Sequence, residues 1–70
     1  MGNQWEVRKA SEVQPGQRVR TADGTEVTAT RIERPFMGRE AMLAFIEDTD
    51  ERWFKRPAPA DADVEVLVHN

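Results

Sequence analysis

The chain has no cysteine and no tyrosine, and among its 70 residues Ser11 is the only serine and His69 the only histidine. Without cysteine there is no disulfide and no thiolate metal site, so a domain at the lower edge of independent folding must hold together by its apolar core alone. Hydrophobic residues make up 39% of the chain, and no run approaches the roughly 20 apolar residues of a membrane-spanning helix. A core this lean has no room for a drug-sized cavity of about 300 Å³ or more. Binding is therefore expected on a surface.

Catalysis needs a nucleophile and a base brought together in a pocket, and nothing in the sequence brings Ser11 and His69 together; His69, next to the chain end, reads as a terminal residue. The acidic run Glu47, Asp48, Asp50 and Glu51 has no glycine to make the sharp turn of a calcium loop, and reads as a solvated turn. The expectation is a non-enzyme with no cofactor and no metal. Residues Met1 to Glu6 lack the basic flank and apolar stretch of a signal peptide, which with the absence of cysteine gives an expected cytoplasmic location and no membrane contact.

Net charge is -3 but unevenly placed: residues 40–51 carry five carboxylates and no base, and residues 52–56 carry three bases and no acid. Non-specific duplex binding needs several phosphates neutralised at once, which an acidic chain with basic islands serves poorly. A protein partner, or a short single strand of nucleic acid, suits it better.

Period-2 alternation and turn chemistry give the organisation. Trp5 and Val7 alternate with polar neighbours in a first strand over 4–9, and Pro15-Gly16 turns the chain. Val19 sits between arginines ahead of Asp23-Gly24, a hairpin signal. Val27 and Ala29 share one parity and Ile32 takes the other, a slip that predicts a bulge or bend near Thr30-Arg31. The segment 34–39 reads as a loop, 41–48 as the strongest strand, with a short helix from Gly38 to Phe45 as the alternative, 49–51 as a turn and 52–56 as a fifth strand. Pro57-Ala58-Pro59-Ala60 reads as a stiff connector, and Val64, Val66 and Val68 mark a last strand. Five to six short antiparallel strands in one domain over 1–70 predict an all-β, small, partly open barrel, whose closure limits exposed edges.

Pro15-Gly16-Gln17-Arg18-Val19, then Asp23-Gly24, Val27 and Ile32-Glu33, resemble the opening hairpin of SH3-like small barrels, including the KOW-type modules of ribosomal and transcription-elongation proteins. The resemblance implies an SH3-like barrel and, from the KOW modules, contact with nucleic acid or with a transcription or translation complex. The second glycine and the added basic residues usual in the KOW hairpin are missing, which moves the expectation toward a protein partner.

Three features point to a binding surface. In the strand Arg52-Trp53-Phe54-Lys55-Arg56 only one aromatic side chain can face the core; with Trp53 inside, Phe54 is displayed between two guanidinium groups as a stacking platform. The opposite arrangement covers Phe54 and pairs Arg52 and Arg56 with Glu47 or Glu51. The loop Arg34-Pro35-Phe36-Met37-Gly38-Arg39 places an aromatic and a flexible Met among arginines, side chains favoured as interface anchors. The strand Met42-Leu43-Ala44-Phe45-Ile46 is apolar on both parities and needs a cover, either Trp5, Val7 and Val13, or Phe36 and Met37, or a second chain. The expected partner-binding set is Phe36, Met37, Arg39, Arg52, Phe54 and Arg56. The protein is expected to be a monomer or weak homodimer that binds a protein. The alternatives are a single-stranded nucleic-acid binder using the same patch and a homo-oligomeric structural subunit assembled through Leu43 and Phe45.

Overall fold

The computed structural model describes residues 3–69. In chain order the elements are β1 (Asn3–Lys9), a single 3-10 turn (Ala10–Glu12), β2 (Arg18–Arg20), β3 (Glu26–Thr28), β4 (Arg31–Glu33), β5 (Met42–Asp48), β6 (Trp53–Pro59) and β7 (Asp63–His69). They form two antiparallel sheets, β1-β7-β2-β3 and β4-β5-β6, which do not close on each other. The result is an all-β, partly open barrel.

The Asp23-Gly24 signal makes the β2–β3 hairpin through a three-residue loop. Gly24 N donates to Thr21 O at 2.9 Å, Thr21 N donates to Thr25 O at 2.8 Å, and Gly24 takes φ +87. This is a tight turn closed by a left-handed residue, a conformation glycine adopts without steric cost. The parity slip near Thr30 proves to be a change of sheet: β3 ends at Thr28 in the first sheet and β4 starts at Arg31 in the second. Thr30 holds that crossing by donating its hydroxyl to Ile46 O at 2.9 Å and accepting Asp48 N at 2.9 Å.

Glu47 ties the sheets together at the same corner. The β2–β3 ladder leaves the Thr28 N–H on the outer side of β3, and the Glu47 carboxylate accepts it at 2.8 Å. With its side chain 12% exposed and Arg52 at 3.7 Å, Glu47 has its charge shared between a backbone donor and a guanidinium. The acidic run is thus not wholly a solvated turn.

The core lies between the sheets. Val19, Val27, Val64 and Val66 face Leu43, Phe45 and Ala58, with Ala10, Val13, Ala29 and Ala60 closing its ends. Phe45 and Leu43 are 0% and 1% exposed, so the expectation of a homo-oligomer built on that pair is overturned: they are the inward parity of β5.

The segment expected as a Pro-rich connector is instead the second half of β6, paired with β5 through Ala44↔Pro57 and Met42↔Pro59. Thr49 and Arg52 exchange backbone bonds, and Ala60 N donates to Ala41 O at 2.7 Å. These fix the even positions of β6 as the ones bonded to β5. Pro57 and Pro59 therefore stand at positions whose nitrogen faces away from the ladder, where a missing donor costs nothing.

Candidate interaction face

The register of β6 on β5 decides what the protein displays. Glu47↔Phe54, Phe45↔Arg56 and Leu43↔Ala58 lie on the inner side of the second sheet, whereas Asp48↔Trp53, Ile46↔Lys55, Ala44↔Pro57 and Met42↔Pro59 lie on the outer side. Phe54 is half-buried and packs against the core. Trp53 is turned outward and is 59% exposed.

The predicted six-residue patch is therefore divided. Arg52, Phe54 and Arg56 belong to the inner side. The Arg52 guanidinium lies 4.7 Å over the Phe54 ring and reaches Glu47, while Arg56 pairs with Asp23 at 3.2 Å and donates to Pro57 O at 2.6 Å. Asp23 is also held by the Thr21 hydroxyl and by Thr25 N at 3.1 Å. These two bonds, more than the nearby Arg56 charge, hold its carboxyl well below the usual carboxylate range. Two of the arginines expected to recognise a partner thus brace the fold.

Phe36, Met37 and Arg39 lie on the β4–β5 connection. Phe36 N donates to Met42 O at 3.0 Å and Arg39 N to Phe36 O at 3.1 Å, which closes a turn with Met37 and Gly38 at its tip. Both tip residues have positive φ, +53 and +75, the pattern of a hairpin turn that Asn-Gly fills best. Met37 fills the first place instead and is 80% exposed. A long apolar side chain in a left-handed backbone at full exposure contradicts local preference, and such contradictions concentrate at functional sites.

Phe36 joins the outer face through Lys55. The Lys55 ammonium pairs with Glu33 at 3.1 Å and stands 5.3 Å from the Phe36 ring centroid and 5.9 Å from that of Trp53. One cation thus links two aromatic rings across the sheet. Ala44 and Ile46, buried but outside the main core cluster, form the floor beneath this row. Part of the cover that β5 needed is therefore supplied from the 34–39 loop and β6, and Val13 joins the core. Trp5 instead lies on the outer side of the first sheet, where the Arg20 guanidinium stacks on it at 4.1 Å and pairs with Glu65 at 2.8 Å.

Trp53 and Lys55 were missed as site residues because either parity of 52–56 buries one aromatic. Ser11 is exposed in the 3-10 turn, and the side chain of His69 lies outside the described residues. No family model matches the chain, nor does any curated protein or solved structure.

Proposed function

We propose that the protein is a non-enzymatic, SH3-like interaction module of the cytoplasm that holds a protein partner against the outer face of β4-β5-β6. Trp53 and Met37 are its apolar anchors, Phe36 and Lys55 form the connecting row, and Arg39 lies at the margin to meet a carboxylate or carbonyl of the partner. The outward Trp53 carries this reading. A Trp exposes a large rigid apolar surface at small entropic cost, and tryptophan is enriched among the residues that dominate interface energies. On the outer face Lys55 and Arg31 each have a carboxylate partner within the chain, which leaves Arg34 and Arg39 of the loop as its cations without one among the described residues, fewer than a phosphate backbone requires. That favours a protein over single-stranded nucleic acid.

A photo-activatable aromatic residue in place of Trp53, which keeps a large apolar ring at the anchor position, tests the proposal in the cells that make the protein. The same residue at exposed position 61 serves as the control. One discrete protein adduct from position 53, lost when Met37 is replaced by Ala, is expected. Adducts to nucleic acid, or equal adducts from both positions, would refute it.

A further inference from the structure

Four strands stand at sheet edges: β1 and β3 in the first sheet, β4 and β6 in the second. An open edge is a template for another strand, and proteins guard it with short strands, prolines or covering groups. β3 and β4 are three residues each, and the outward N–H of Thr28 on β3 is taken by Glu47. On β6 two of the four outward positions are prolines. β1 has seven residues with neither Pro nor Gly.

Ala10 N donates to Ala62 O at 2.8 Å, in register with the β1–β7 ladder. The even residues of β1 therefore bond to β7, and the N–H and C=O groups of Trp5, Val7 and Lys9 point off the sheet. Glu12 caps the Lys9 N–H at 2.9 Å. Trp5 and Val7 keep outward donors without a backbone partner among the described residues, Val7 is 62% exposed, and the outward Val7 carbonyl accepts only the Arg8 guanidinium at 3.5 Å, the long limit of a hydrogen bond.

We infer that a second copy of this chain pairs with the β1 edge, antiparallel, about a two-fold axis through Val7. Charge selects both occupant and register. With the axis at Val7, each Glu6 stands opposite the partner's Arg8, each Trp5 opposite the partner's Lys9, and the two Val7 residues face each other. Moving the axis to Glu6 or Arg8 places like charges in direct opposition, and moving it to Trp5 leaves Arg8 with no carboxylate opposite. Opposite-charge and apolar cross-strand pairs are the units that stabilise antiparallel sheets. Within one chain Glu6 and Arg8 already pair with each other, both about half-exposed; in the dimer they exchange partners. The paired edge makes four backbone bonds, two between the Val7 residues and one from each Trp5 N–H to the partner's Lys9 carbonyl. So small a contact belongs to the weak end of specific association. The interface leaves the Trp53 face of each copy free, so the dimer offers that face twice.

Sedimentation equilibrium from micromolar to millimolar protein tests this. The native chain is expected to move reversibly from monomer to dimer. Val7→Pro removes an outward donor without touching the β7 ladder, and is expected to raise the dimer dissociation constant at least tenfold while the dilute protein keeps its circular dichroism spectrum. Glu6→Arg and Arg8→Glu are each expected to weaken the dimer by bringing like charges together, and the double exchange to restore it. A chain monomeric throughout, a dimer indifferent to Val7→Pro, or a double exchange that fails to recover association would overturn the inference.

Discussion

The assignment of Phe54 to the core and Trp53 to the surface can be tested by truncating each to Ala. Removing a fully buried Phe costs about 3–5 kcal/mol. Phe54 is half-buried on the rim of the core beneath the Arg52 guanidinium, so its loss is expected to cost ~2–3 kcal/mol. For a domain of this size each kcal/mol moves the midpoint by about 4–8 °C, so Phe54→Ala should unfold roughly 10–20 °C lower. Trp53 has most of its surface exposed and stands 5.9 Å from the Lys55 ammonium. An exposed cation–π contact is worth about 0.5–1 kcal/mol, so Trp53→Ala should lower the midpoint by about 2–8 °C. Thermal unfolding followed by far-ultraviolet circular dichroism separates the two. If Trp53→Ala destabilises as much as Phe54→Ala, the register assigned to β6, and with it the interaction face, is wrong.

Other consequences concern the corner, the turn and acid stability. Glu47→Ala leaves the Thr28 N–H and Arg52 without their acceptor and is expected to cost about 1.5–3 kcal/mol in urea unfolding, the range for hydrogen bonds to charged groups; a loss below about 0.5 kcal/mol would remove Glu47 as the tie between sheets. Met37→Asn relieves a left-handed backbone that Asn tolerates and should raise stability by about 1 kcal/mol while weakening the photo-adduct from position 53; a destabilised variant would contradict the turn. Asp23 has a depressed pKa in the folded state, so its ionised form contributes stability that is present above the ordinary carboxylate range and is lost as pH falls toward the folded value. Its side-chain carboxyl carbon should titrate below the ordinary carboxylate range by nuclear magnetic resonance, and Asp23→Asn should flatten the acid limb of the stability curve. An Asp23 midpoint within the ordinary carboxylate range would refute the Thr21–Asp23–Thr25 arrangement.

Much of the fold was legible because local chemistry and tertiary structure agree. Asp23-Gly24 turns where a turn residue is needed, Val64 and Val66 alternate into the core, and the slip between Ala29 and Ile32 marks a real discontinuity. It became a sheet crossing because Thr30 can bond β5 at both a donor and an acceptor. Pro57 and Pro59 were misleading because proline is barred only from positions that donate to a ladder, and which positions those are depends on a strand partner. The site was half legible. The 34–39 loop stood out by composition, but the parity of 52–56 depends on which side of β5 is inward, and β5 is apolar on both. Pairing of Arg52 with Glu47 was one of the two arrangements open from the strand alone, whereas Asp23 meets Arg56 only through the fold.

The most direct test of the interaction face is the amide spectrum of labelled protein titrated with an extract of the cells that make it, at physiological and then at high salt. Broadening confined to residues 36–39, 53 and 55, kept at high salt and abolished by Trp53→Ala, is the predicted result. Broadening elsewhere, or broadening that vanishes with salt and is reproduced by a single-stranded oligonucleotide alone, would contradict it.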